Sequence, residues 1–425
     1  MLHRLRLIIY QLGLLLLGFY AFPVAAQTVD STVYLKYKYI KRNLNCISND
    51  SVALHGFYEK LKLLDKELLK TVSIVHIGDS HLQADFFSGS VRQKMQLRFG
   101  NAGRGLIFPF RVAKSNEPTS YKTTTNNSGW DARRNTFPKK TMPIGLSGFT
   151  IETEDTDATL NLLVKDQPGL CYSFTQFTLL HDNGKQNYDL TLCDEDMCVH
   201  PVFKSSQPIT NPFVSELKFD KPVRQVILRS EKNDTLNQKK TRIYGMILKN
   251  DSAGVLYHMI GANGAEFRHY NQSEFFMEQL PYLEPNLIII SLGTNEVYRK
   301  GFNPMEFQKQ IDTLVINIRK NNAQANILIS TPPDSYRRGR KGFAKNSDIK
   351  KARTVIIDYC LSNNIAYWDL YEIMGGYGSM GKWYSSKLAA KDRIHFSARG
   401  YLIQGDLLYR ALMKGYSNFL SSKGK

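Results

Sequence analysis

The residues with the most chemical promise sit in three short polar segments, each directly after a run of aliphatic residues. Val72 to Ile77 runs into Gly78-Asp79-Ser80-His81, Val255 to Ile260 into Gly261-Ala262-Asn263-Gly264-Ala265, and Leu287 to Leu292 into Gly293-Thr294-Asn295-Glu296. A fourth segment, Asp392-Arg393-Ile394-His395-Phe396-Ser397, stands just ahead of an apolar-periodic stretch. A serine hydroxyl becomes a nucleophile only when a base takes its proton, so Ser80 requires a histidine. His76 and His258 fall inside apolar runs, His55 near a helix start, His181 and His200 in a β-rich stretch, and His269 on a helix face. His395 lies in a loop, and Asp392, three residues before it, can accept the hydrogen bond that fixes the imidazole tautomer. His81 is the rival base, although the residue after a nucleophile points away from the same substrate.

Such chemistry also needs donors for a developing oxyanion. The glycines of the second and third segments let backbone N–H groups approach it, and Asn295 offers a side-chain amide. Each segment alone is an ordinary turn or helix cap. Their recurrence at successive strand ends is what points to a site.

The elements that must hold these segments alternate. Leu54 to Lys70 is expected as a helix, with Leu54, Phe57, Leu61, Leu64 and Leu68 at spacings of three and four, and Val72 to Ile77 as a buried parallel strand. Gln83 to Phe99 is expected as the helix after Ser80. Downstream, strands at 255–260, 287–292, 325–330 and 365–370 alternate with helices at 265–280, 305–319, 349–361 and 398–413. That order specifies an α/β, doubly wound parallel sheet with helices on both faces, where ligands meet the carboxyl ends of the strands. Residues 113–250 differ: strand-like pieces at 159–164, 172–180, 223–229 and 242–248 are separated by turn residues, which predicts an inserted all-β, sandwich-like domain. The expected division is therefore 27–112 and 251–425 for the α/β body and 113–250 for the insert.

The first 26 residues read as a signal peptide. Arg4 and Arg6 precede an apolar run from Leu7 to Phe22, and Pro23-Val24-Ala25-Ala26-Gln27 places the cleavage after Ala26. No later stretch is apolar enough to span a membrane, so the mature protein is expected to be periplasmic, or secreted, with no integral span. The net charge of +18 falls to +16 without Arg4 and Arg6. Export and the scatter of the basic residues, apart from Arg337-Arg338-Gly339-Arg340-Lys341, argue against nucleic acid and for anionic envelope polymers. Cys193 and Cys198 could close a small disulfide loop or stay as free thiols; as metal ligands they have no second cysteine pair nearby, only His200.

The ordered set Gly78-Asp79-Ser80-His81, Gly264, Gly293-Thr294-Asn295-Glu296, Asp392 and His395 resembles the SGNH (GDSL-type) hydrolase superfamily. The resemblance implies that Ser80 is the nucleophile, that the Ser80 and Gly264 N–H groups and the Asn295 amide form the oxyanion hole, with Gly261 as the alternative glycine, and that His395 is the base oriented by Asp392. No metal or cofactor is implied. The stretches His76 to Phe99, Asn101 to Gly105, Gly261 to Ala265, Gly293 to Glu296 and Asp392 to Tyr401 further resemble the peptidoglycan O-acetylesterases of Gram-negative bacteria. Those enzymes carry a carbohydrate-binding-module-like β domain between the serine and glycine motifs. They act on the acetyl ester at the C6 hydroxyl of N-acetylmuramic acid. The resemblance implies a carbohydrate O-acetylesterase whose partner is O-acetylated peptidoglycan, or else an esterase or acetyltransferase of another exported polysaccharide. Glu296 departs from the aspartate common after the asparagine. Trp130, Tyr377, Trp383 and Tyr384 fall in loop-like stretches where a ring could stack on a pyranose. Arg104 could meet a substrate carboxylate or brace its loop.

Overall fold

In the computed structural model, which describes residues 36–126, 129–139, 141–340 and 342–422, the alternating segments close into one parallel sheet and the middle of the chain into antiparallel ones. The expected signal segment, Met1 to Ala26, lies outside the described residues. In chain order the strands are β1 (Ile47–Ser48), β2 (Thr71–Gly78), β3 (Gly105–Ile107), β4 (Tyr121–Thr125), β5 (Trp130–Arg134), β6 (Phe149–Thr153) and β7 (Thr159–Val164). They continue as β8 (Phe174–His181), β9 (Asp189–Cys193), β10 (Val199–Phe203), β11 (Val214–Val223), β12 (Gln225–Glu231) and β13 (Thr241–Lys249). The last are β14 (Gly254–Gly261), β15 (Leu287–Ser291), β16 (Asn326–Ser330), β17 (Tyr336–Gly339), β18 (Gly342–Lys345) and β19 (Ala366–Trp368).

The first sheet has the order β1-β19-β16-β15-β2-β14 and is parallel except for β1. Every residue from Val72 to Gly78 is buried, as a strand covered on both faces requires. Helices Phe86–Phe99 and Ala398–Ser422 pack on each other, and helices Pro304–Asn321 and Asp348–Ser362 form a second packed pair. The register matters most for the site. Gly78 pairs with Gly261 on one side and with Ser291 on the other, so three strands end at one level.

Several expected helices differ in extent: the last runs on to Ser422, and the one expected from Gln83 starts at Phe86. The first ends at Asp65 and Glu67 takes a left-handed φ of 58°, which leaves Leu68 71% exposed rather than on the apolar stripe. The stretch 265–280 breaks into Phe267–Asn271, Phe276–Gln279 and a 3₁₀ turn at Leu280–Leu283. The break falls where the Ser273 hydroxyl donates back to the His269 carbonyl, an alternative to continued helix.

The middle of the chain forms two antiparallel sheets, β10-β9-β12-β7-β4 and β11-β8-β13-β6-β5, with β3 added against β13. Alternating buried residues such as Leu160, Leu162 and Val164 face a shared core. Contacts from one sheet to the other include Ser230 Oγ to Thr241 Oγ1 at 3.0 Å and the rings of His181 and Phe203, 5.0 Å apart. Cys193 and Cys198 are both free thiols, against the disulfide expectation. Cys193 turns into the core while Cys198 is exposed, and the loop between them is closed by Asp194, whose Oδ1 accepts from the N–H groups of Asp196 and Cys198. His200 Nε2 meets the other oxygen of Asp194 at 2.9 Å.

The insert is tied to the parallel sheet at its edge. Gly105, at φ +77°, comes so near β14 that a Cβ there would lie 2.6 Å from the Tyr257 carbonyl oxygen, so only glycine fits. The next residue, Leu106, donates its N–H to His258 Nδ1. Arg104, fully buried, donates from Nε to Ser120 Oγ and from Nη2 to Asp85 Oδ2, while Arg92 holds Asp85 through two further nitrogens. Arg104 is thus a brace, not a substrate contact. Burial alone would push the Asp85 carboxyl up, but Arg92 and Arg104 hold it below the usual carboxylate range. Asp85→Ala leaves two buried guanidinium groups without their shared anion. Urea unfolding should show a loss of about 3–5 kcal/mol; a loss under about 1 kcal/mol would show that the arginines find other partners.

Candidate active site

The turn after β2 is shaped by Asp79. Its carboxyl caps the short helix Ser80–Gln83 by accepting the His81 N–H at 2.9 Å, which fixes Ser80 as the first residue after the cap. Ser80 Oγ lies 2.8 Å from His395 Nε2. His395 Nδ1 lies 2.7 Å from Asp392 Oδ2, and the other Asp392 oxygen accepts the N–H groups of Ile394 and His395. The aspartate is therefore oriented by its own loop before it orients the ring. His395 and Asp392 are partly open to solvent, so the line of groups ends at a surface a large substrate can reach.

The other two strand ends are laced to the same turn. Asn295 donates its amide to Asp79 Oδ2 at 3.2 Å and to the Ala265 carbonyl at 2.9 Å. Gln83 accepts the N–H of Asn263, and Tyr270 donates to the Gly78 carbonyl at 2.6 Å. Gly264 sits at φ +82° with nothing within 4 Å of a would-be Cβ, so the demand for glycine there is conformational rather than steric. No hydrogen bond among the described residues uses the N–H of Ser80 or of Gly264. Both donors are available to an incoming anion. Gly261, the alternative glycine, is buried against the turn, where a Cβ would meet the Gln83 nitrogen at 2.8 Å.

Electrostatics divide the acids into two kinds. The hydrogen bond from His395 holds Asp392 well below the usual carboxylate range. Burial pushes Asp79 up to about 7 and Glu296 up to about 8. Glu296 nonetheless accepts the Phe267 N–H and so caps the helix behind Asn295, the supporting role its departure from aspartate leaves open. The Asp392 bond, followed by the charges of Asp392 and Asp79, outweighs burial and raises the His395 pKa above 6.5. His81 is pulled down to about 3 by burial and by His395, and its Nδ1 is engaged by the Tyr401 hydroxyl at 3.0 Å. Its ring packs beside His395 rather than against Ser80.

Sequence reasoning missed Asp79, Gln83 and Tyr401 as parts of this arrangement. Asp79 carried a signal, as a cap residue with a hydrophobic strand behind it; Gln83 and Tyr401 carried none, because their partners are 180 and 320 residues away. Among the candidate sugar platforms, Trp383 is wrong: it is 0% exposed on helix Ser379–Ser385 and donates to the Met374 carbonyl. Tyr377 is 54% exposed beneath Lys345, Tyr384 lies under Arg393, and Trp130 is half-buried on β5. A cavity of about 300 Å³ opens beside Asn295, lined by Arg268, Arg299 and Phe307 among others.

Residues 240–403 match the model of the GDSL-like lipase/acylhydrolase family, a span that holds Gly264, Asn295, Asp392 and His395 but not Ser80. A solved structure described as a peptidoglycan O-acetylesterase in action superimposes with a TM-score of 0.72 at 22% identity, covering 85% of this chain and 96% of that one. The two share a fold, including the parallel sheet and the added antiparallel sheets. A lipase/acylhydrolase from Enterococcus faecalis aligns at TM-score 0.29 and 20% identity over 37% of this chain and 76% of its own. An acetyl xylan esterase aligns at 0.32 and 16% over 37% and 81%. No curated protein matches the sequence.

With its pKa above 6.5, His395 carries a proton that favours the folded state fully below the unfolded value near 6.5, an advantage lost as pH rises through the folded one. An NMR titration of the His395 ring should show a midpoint above 6.5, and Asp392→Asn should lower it. A midpoint unchanged by Asp392→Asn would mean that the aspartate does not set the charge of the ring.

Proposed function

We propose that this chain, whose residues 240–403 carry a GDSL-like lipase/acylhydrolase domain, is an exported serine esterase that removes acetyl groups from the C6 hydroxyl of N-acetylmuramic acid in peptidoglycan. The reading is carried by the unbroken line from Ser80 Oγ through His395 to Asp392, with contacts of 2.8 and 2.7 Å. Residues 27–112 and 251–425 make up the catalytic body and 113–250 the insert, with the periplasm, or the outside of the cell, as the place of action. The choice of substrate is supported by the fold shared over most of the chain with a peptidoglycan O-acetylesterase.

His395 Nε2 takes the proton from Ser80 as Oγ bonds to the acetyl carbonyl carbon. The resulting oxyanion lies against the N–H groups of Ser80 and Gly264, and the Asn295 amide reaches it by turning one N–H away from Asp79 or the Ala265 carbonyl. His395 then gives its proton to the sugar C6 oxygen, the ester C–O bond breaks, and the acetyl group stays on Ser80. A water molecule repeats the sequence on the acetyl-serine and releases acetate. Because His395 must start neutral and its pKa is raised, the rate should climb with pH through that value.

Acetate release from O-acetylated peptidoglycan should fall about 10⁴-fold or more in Ser80→Ala. Asn295→Ala should cost about 10²–10³ in kcat. Activity on acetylated xylan with none on acetylated peptidoglycan would move the substrate, and an active Ser80→Ala would remove the mechanism.

A further inference from the structure

β5 is the edge strand of its sheet, and its side chains alternate: Asp131 and Arg133 on one face, Trp130, Ala132 and Arg134 on the other. Asp131 and Arg133 satisfy each other at 2.6 Å. On the opposite face the small Ala132 separates an aromatic ring from a guanidinium group. Phe149, which pairs in register with Arg134, joins Phe137 and residues 112–114 in completing a cavity of about 300 Å³, and the Asp131–Arg133 pair also reaches it. That is the lower end of ligand-pocket size, suited to a single substituted sugar ring.

Apart from the Asp131–Arg133 pair at its edge, the polar side chains of this cavity are donors without a protein acceptor among the described residues. Trp130 Nε1 and Arg134 Nε are both buried with no hydrogen-bond partner, and the Arg134 guanidinium lies 4.8 Å from the Phe137 ring. No carboxylate pairs with Arg134 or with Lys114 at the rim among the described residues. Burial, with no acid to offset it, pulls the Arg134 pKa down. A half-buried cation with nothing to neutralise it costs stability, so the fold keeps a site that an anion would complete.

The cavity also adjoins the reaction centre. Two residues beyond Arg134, a step of about 7 Å at most, the Thr136 hydroxyl donates to the Asn263 carbonyl, immediately before Gly264. Asn135, between them, packs towards Gly148, which also has Ala262 beside it. A polymer with one sugar at Ser80 can therefore place a neighbouring group here.

We propose that this cavity is a subsite for a carboxylate-bearing sugar of the acylated glycan, in which Arg134 binds the carboxylate and Trp130 lies against the sugar ring. The inference rests on the glycan-esterase reading, but its test uses binding alone and is independent of acetate release. The chain has three tryptophans, and the indoles of Trp368 and Trp383 are held by Asn45 and by the Met374 carbonyl. In ¹⁵N-labelled protein the Trp130 indole signal is then the reporter and the other two are internal references.

N-acetylmuramic acid should shift the Trp130 signal, whereas N-acetylglucosamine, the same ring without the lactyl carboxylate, should need a concentration about 10-fold higher or more. Arg134→Gln should weaken the N-acetylmuramic acid response by a similar factor, and Arg134→Lys should retain part of it. Glucuronic acid separates the sources of the carboxylate. A response to it as well supports carboxylate recognition in general, and a response to N-acetylmuramic acid alone supports the lactyl group. A response to glucuronic acid alone keeps the subsite but moves the proposed substrate to a uronate-containing polymer. Equal responses to the neutral and acidic sugars, or none to either acid, would overturn the proposal, even if acetate release from peptidoglycan is found.

Discussion

The Asp79 carboxyl is the joint on which the candidate site depends. One oxygen caps the helix that begins at Ser80 and the other holds the Asn295 amide from a strand end more than 200 residues away. It does this with 0% exposure and no salt-bridge partner among the described residues, so burial outweighs its donors and the charge of His395 and pushes it up to about 7. Both of its contacts are to donors and favour the ionised form, while desolvation opposes it. The balance has a consequence at His395, whose raised pKa draws partly on the Asp79 charge. A neutral Asp79 would loosen Asn295 and lower His395 together. Asp79 thus fixes the geometry of the site and adds to a His395 proton affinity that the Asp392 bond mainly sets.

That joint works because the sheet brings its partners to one level. Gly78, Gly261 and Ser291 are register neighbours, so the turns that follow them need only a few residues to meet. This part was legible in the sequence, since aliphatic runs ending abruptly in Gly-Asp-Ser-His or Gly-Thr-Asn-Glu announce both the strand and the place where it stops. Local pattern carries such information because strand burial and turn chemistry are properties of adjacent residues.

What the sequence could not reveal depends on distant partners. Trp383 and Tyr384 are neighbours in the chain, yet one is sealed beneath Met374 and the other lies open under Arg393. Cys193 and Cys198 have a spacing that permits a bridge, but Cys193 is buried at the end of β9, out of step with the strand's alternation, and Asp194 closes the loop instead. Arg104 between two glycines could be read from the sequence as an anion hook or as a brace. Its anion turned out to be Asp85, inside the protein.

The Arg104–Asp85–Arg92 cluster bears on the insert more than on the catalytic groups. Arg104 leads into β3, which pairs with β13 of the insert and is pinned to β14 of the parallel sheet through His258. Arg104 also reaches Ser120 just ahead of β4, while Thr136 reaches the Asn263 carbonyl beside Gly264. An insert held only at its two chain crossings would be free to swing, as loosely tethered domains are. Here a buried ion cluster, a shared strand and a contact to the glycine turn all fix it against the same edge. The insert is therefore better understood as a wall of the site than as a separate module: any ligand bound on β5 is held at a set distance from Ser80.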